Sequence, residues 1–132
     1  MVCILCDSKT KITNSRFMRR AGYTWRRHTC PRCLAVFTTR EYVDMANSYR
    51  IQHSDGSLEP IVREKLLLSV IESTKHRANG LDESTALTDT ILAELLAHKR
   101  LVIEIQTLRD VASKILRRFD KTTYVRYLSM YS

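Results

Sequence analysis

The sequence is poor in residues that break regular structure, and one end of it is poor in negative charge. Its three glycines, Gly22, Gly56 and Gly80, are too far apart to form a Walker A or GxGxxG phosphate loop. No apolar run approaches the about 18 residues that span a bilayer, so no membrane partner is expected. No apolar signal segment precedes Cys3, which points to a cytoplasmic protein. No Ser/His/Asp set and no paired catalytic carboxylates stand out, so the chain is not expected to be an enzyme.

What is present is a globular composition with a charge asymmetry. Hydrophobic residues make up 44% of the 132, enough for a core and too many for general disorder. Residues 1–50 carry 10 Lys or Arg against 3 Asp or Glu, a balance of +7. The remainder carries 12 against 11, a balance of +1. A basic end joined to a near-neutral body suggests a polyanion-binding module. Four thiolates around Zn²⁺ add two negative charges, which leaves that end at about +5 and still basic.

The four cysteines form two CxxC pairs, Cys3/Cys6 and Cys30/Cys33, separated by 23 residues. Zn²⁺ takes four soft ligands at tetrahedral corners, and each CxxC turn presents two sulfurs to one ion. Two disulfides or a redox pair are the alternatives. A reducing compartment and the lack of a βαβ context favour a structural zinc. With four Cys ligands the shell is closed to catalysis. His28, close to Cys30, reads as a surface or base-stacking residue rather than a ligand.

Around these cysteines lie Lys11, Arg16, Arg19, Arg20, Arg26, Arg27, Arg32 and Arg40, with Tyr23, Trp25 and His28 interleaved. Arginine pairs bidentately with phosphates and guanine edges, and aromatics stack. Lys11, Arg16, Arg19, Arg20, Trp25, Arg26, Arg27 and Arg40 are the candidate nucleic-acid contacts. Strand faces rather than a recognition helix should carry them, because 11–16, 23–29 and 35–40 read as short strands rich in Thr, aromatic and β-branched residues.

Residues 43–48 read as a connector. Residues 49–53 and 58–61 read as a hairpin around Asp55-Gly56. Helices are expected over 63–78, stopped by Gly80; from an Asp82 cap to about Lys99; over 108–119; and from an Asp120 cap through Tyr131. The fold class is therefore α+β: a small β zinc ribbon over 1–47, then a mainly helical domain with a short hairpin over 48–132.

These motifs resemble NrdR, a family of bacterial transcriptional repressors of ribonucleotide reductase genes that join a zinc ribbon to an ATP-cone. The resemblance rests on both CxxC pairs, Ser15-Arg16, the basic run after Gly22 and Phe37-Thr38-Thr39-x-Glu41. In the second half it rests on Asp55-Gly56, Glu59-Pro60, Arg63-Glu64-Lys65-Leu66 and the closing Tyr124-Val125-Arg126-Tyr127-x-Ser129-x-Tyr131. It implies double-stranded DNA as partner and a bacterial, nucleoid-associated location. It also implies ATP or dATP as effectors of homo-oligomerisation, with a nucleotide site at Arg50, His53, Lys65, Arg77 and Tyr124. The chain departs from the family in several places. Asn14 stands for an aspartate, the run Trp25-Arg26-Arg27-His28 for four arginines, His53 for a hairpin lysine, and His76-Arg77-Ala78 for Lys-Arg-Pro; the sequence ends at Ser132, where members usually continue. The alternative is a nucleotide-independent adaptor that brings a protein partner to nucleic acid.

Overall fold

A computed structural model describes residues 1–131. It is α+β, as the sequence suggests, and begins with a zinc ribbon. The chain forms two compact units, residues 1–43 and 44–132.

The first unit is an antiparallel meander of β1 (Lys11–Met18), β2 (Tyr23–Thr29) and β3 (Val36–Tyr42), in that order. Its central strand is rich in aromatic residues and Thr, with Tyr23, Trp25, Arg27 and Thr29 on one face and Thr24, Arg26 and His28 on the other, which suits a pleated and half-covered surface. Gly22, at φ 72°, supplies the left-handed residue that the β1–β2 turn requires. Every residue of β1 is exposed, and only Cys3, His28 and Cys30 of this unit are buried. The sheet has almost no apolar core of its own.

The second unit opens with a short helix, α1 (Met45–Ser48), inside the expected connector. Its sheet has β4 (Arg50–Gln52) at the centre. Antiparallel β5 (Leu58–Pro60) lies on one side and parallel β6 (Val102–Glu104) on the other. Asp55 closes the hairpin by accepting the Ser57 N–H at 2.9 Å, with Gly56 at φ 85°. The helices are α2 (Arg63–Ser73), α3 (Gly80–Ala97), α4 (Ile105–Phe119) and α5 (Lys121–Tyr131). Leu66 and Val70 of α2, Ile91 and Leu95 of α3, Ala112 and Leu116 of α4, and Tyr127 of α5 meet in one core with Ile51 and Ile103.

Three expectations are corrected. Helix α2 stops at Ser73, not Ala78, because the buried Thr74 hydroxyl binds Ile71 O at 3.2 Å and the Ser84 hydroxyl at 2.6 Å, drawing the chain into a turn. Gly80 is not a stop but the first residue of α3, with Asn79 rather than Asp82 before it. A Cβ at Gly80 would lie 2.9 Å from Thr74 O, so the close approach of α3 to that turn requires glycine. Strand β6 was not expected. Asp120 does cap α5: its carboxylate accepts the Thr123 N–H at 3.0 Å and the Thr123 hydroxyl at 2.7 Å.

Leu95 is fully buried at the centre of this core. Leu95→Ala is expected to destabilise the second unit by about 2–5 kcal/mol, read from urea unfolding followed by helical circular dichroism.

Candidate functional site

The two CxxC segments fold into matching turns. Cys3 N–H donates to Ser8 O at 2.8 Å and Asp7 N–H to Cys3 O at 3.1 Å. Cys30 N–H donates to Ala35 O at 2.9 Å and Leu34 N–H to Cys30 O at 3.0 Å. The residue after each second cysteine is left-handed, Asp7 at φ 60° and Leu34 at φ 64°. Each turn therefore aims two sulfurs the same way. Their backbone N–H groups reach sulfur as well, Leu5 to Cys3 and Cys33 to Cys30, each at 3.4 Å.

The four Sγ atoms lie within 4.8 Å of one another, with Cys3–Cys33 and Cys6–Cys30 both at 3.5 Å. A tetrahedral ion with bonds of about 2.3 Å spaces its sulfurs by about 3.8 Å, whereas a disulfide needs about 2.05 Å. The cysteines are unpaired, and their separations fit a shared metal ion. The donor chemistry agrees. The Ser8 hydroxyl and N–H pull the Cys6 thiol down to about 6. The Leu5 N–H likewise lowers Cys3. Cys33 is instead pushed up to about 12, because the Cys3 sulfur and burial outweigh the lowering by Ala35 N–H. Four sulfurs this close cannot all ionise unaided; a dication removes the conflict, and an all-sulfur tetrahedral set suits Zn²⁺.

The strand register sorts the basic residues. Residues opposite one another in an antiparallel pair share a face. Trp25 faces Arg16 on one side and Arg40 on the other; Arg27 faces Asn14 and Thr38; Thr29 faces Lys11. Lys11, Arg16, Trp25, Arg27 and Arg40 thus share one face, together with Tyr23 and Tyr42. The Arg27 guanidinium lies 5.3 Å from the Trp25 ring centroid, and that of Arg40 lies 5.0 Å from Tyr23. Tyr23 and Tyr42 are 5.0 Å apart. No strand position on this face is acidic. Arg19 and Arg20 stand exposed in the β1–β2 turn.

Arg26 belongs to the opposite face, opposite Ser15 and Thr39, where it pairs with Glu41 at 3.6 Å. His28 also lies there and is corrected: it is neither a surface nor a base-stacking residue. It is buried, stacked on Phe37 at 5.0 Å, and its two ring nitrogens bind Thr10 at 3.2 Å and Thr39 at 2.8 Å. It stabilises the sheet beside the cysteine turns.

The five nucleotide candidates do not converge. His53 pairs with Glu59 at 3.2 Å and lines a cavity of about 410 Å³ with Gln52, Gly56, Gln106 and Arg109. Lys65 rims a second cavity of about 320 Å³, walled mainly by apolar residues and by Tyr127 and Tyr131. Arg50, Arg77 and Tyr124 line neither cavity. Arg50 donates to the Ala46 and Tyr49 carbonyls at 2.8 and 2.9 Å. Arg77 holds Glu83 through three short bonds, approaches Asp120 at 3.7 Å and lies over Phe119 at 4.6 Å. His76 joins the same cluster through Asp120 at 2.9 Å; bonds from Thr123 and His76, with Arg77 nearby, hold the Asp120 carboxyl down to about 2. Tyr124 packs on the core beneath Arg117. Sequence reasoning missed Arg109, Tyr127 and Tyr131 as cavity residues. Arg109 was visible only as the one cation beside the apolar stripe Leu108, Val111, Ala112.

No protein-family model matches the chain. It is 30% identical to the transcriptional repressor NrdR of Ehrlichia ruminantium (strain Gardel), over 99% of this chain and 86% of that protein. It is 31% identical to the transcriptional repressor NrdR of Anaplasma marginale (strain Florida), over 99% and 87%. It is 30% identical to the transcriptional repressor NrdR of Ligilactobacillus salivarius (strain UCC118), over 99% and 83%. Among the described residues no helix is long and apolar enough to cross a membrane.

Proposed function

The chain belongs to the NrdR family of transcriptional repressors, and from that premise we propose that it is a cytoplasmic, DNA-binding repressor whose subunit association is set by adenine nucleotide. Its first unit, a nucleic-acid-binding domain held by a structural Zn²⁺, meets double-stranded DNA. Its second unit binds ATP or dATP and mediates homo-oligomerisation. The genes it represses are those of ribonucleotide reductase or related functions.

The observation that carries the DNA half is the face bearing Lys11, Arg16, Trp25, Arg27 and Arg40, free of acidic residues. Two of its guanidiniums, those of Arg27 and Arg40, lie against aromatic rings, which orients them before phosphate arrives. A sheet face of this kind enters a groove without a recognition helix.

The nucleotide half is supported by paired cavities, one apolar and one polar, on the second unit. An effector changes association only if it binds one assembly better than another. Two ribbons joined in one oligomer then engage two half-sites with a large gain in apparent affinity.

A second reading is a nucleotide-independent adaptor. It is favoured by Arg50 and Arg77, whose guanidiniums already serve internal partners. Sedimentation of the full chain with and without ATP, dATP and operator DNA separates the two. A nucleotide-dependent change in subunit number, with a matching change in DNA affinity, is expected. Identical assemblies under all conditions sink the nucleotide switch and leave the adaptor.

A further inference from the structure

The two cavities of the second unit share Ile105 and Arg109, both in the first turns of α4. The smaller is walled by Ile61, Leu66, Leu108, Tyr127 and Tyr131. The larger is lined by polar groups from the hairpin and from α4. A nucleotide has the same division, a flat apolar base joined to a polyanion.

We propose that the two cavities form one bipartite nucleotide site, with the base in the apolar part, and that Arg109 is the residue that binds the phosphates. This rests on the reading that the second unit takes an adenine nucleotide.

Arg109 is the arginine of this unit best placed to serve. Arg50 donates to Ala46 and Tyr49 carbonyls, Arg63 to Asp89, Arg77 to Glu83 and Arg126 to the Glu72 carbonyl. Arg109 is half-buried at the junction and forms no hydrogen bond or ion pair among the described residues. It lines the apolar cavity together with Tyr127 and Tyr131, which places it beside the aromatic wall. A planar guanidinium there can grip two phosphate oxygens at once while the base stacks behind it. Lys65, on the rim of the apolar part, is exposed and offers a mobile point charge.

The acidic groups nearby sharpen the requirement. Glu59 is paired with His53, and the exposed Glu104 lines the polar cavity. A polyphosphate near Glu104 needs a cation that offsets that carboxylate, and the fork of an arginine does so while binding two phosphate oxygens at once.

Calorimetric titration of the full chain with ATP and with adenosine tests the assignment on wild type, Arg109→Gln and Arg109→Lys. Arg109→Gln is expected to weaken ATP about tenfold to a hundredfold while leaving adenosine unchanged, and Arg109→Lys to recover part of the loss. If ATP holds its wild-type affinity in Arg109→Gln, or if ATP and adenosine weaken together, Arg109 is only a wall and the proposal fails, although the nucleotide reading stands. If wild type binds neither ligand, the nucleotide reading itself fails and takes this proposal with it. Should Arg109→Gln lower the melting temperature of the unliganded chain, the ATP-to-adenosine ratio of Arg109→Lys decides by the same rule.

Discussion

Cys30→Ser is expected to unfold residues 1–43 and abolish DNA binding, while the helices of residues 44–132 remain folded. The first unit buries only Cys3, His28 and Cys30, and β1 is exposed along its whole length. The apolar core lies entirely in residues 45–131. A unit this small, with no apolar core, needs another source of stability. The cysteine cluster supplies it: structural zinc contributes about 10–16 kcal/mol to folding in comparable small modules at neutral pH. Serine cannot offer a thiolate, so three ligands and an open corner remain. A strong chelator should have the same effect on the wild type, reversed by added zinc. Metal content, chemical-shift dispersion of the ribbon amides and DNA binding should fall together, whereas the second unit's unfolding curve should not move. A Cys30→Ser protein with a dispersed ribbon spectrum and normal DNA affinity would falsify the structural role of the metal.

The parts of this molecule that sequence reveals are those set by local rules. Two CxxC pairs at this spacing favour a single shared ion over disulfides, so the cysteine cluster is legible from four residues. The apolar period of α4 and the Asp120 cap are likewise local, and the structure contains both. What stays hidden depends on partners far along the chain. A three-residue strand such as β6 carries no usable period and exists only because β4 offers a free edge. The end of α2 depends on the Thr74 hydroxyl finding Ser84 ten residues later. His28 looks like a surface group beside a basic run, but Thr10, just before β1, and Phe37 and Thr39 of β3 enclose it.

The basic face shows the limit most clearly. Strict alternation would put Lys11 and Arg16 on opposite faces of β1. A bulge between Ile12 and Asn14 inserts one extra residue and flips everything after it. Arg16 thereby joins Lys11 opposite Trp25 and Thr29. Nothing in the composition of this strand announces the bulge, so a basic cluster could be listed but not divided into two sides.

That division yields the second large effect. Arg16→Ala and Arg27→Ala combined are expected to weaken DNA binding by about tenfold or more, whereas Arg26→Ala should leave it near wild type. Residues 26 and 27 are neighbours of identical type, so composition, net charge and position along the chain cannot separate them. The sheet separates them: Arg27 lies against Trp25 on the face without carboxylates, and Arg26 reaches Glu41 on the other. If both arginines on the first face contact phosphate, their removal should also lower the slope of log affinity against log salt by about 0.9 per lost contact. Trp25 is the only tryptophan in the chain, so its fluorescence reports on this face directly. DNA should change that emission in wild type and in Arg26→Ala, at midpoints that match gel-shift titrations. An Arg26→Ala defect as large as that of Arg27→Ala would place DNA on the opposite face or on the sheet edge, beside His28 and Phe37. The buried stack there has little to offer a groove: its one charged strand position besides Arg26 is Glu41, which a phosphate backbone repels.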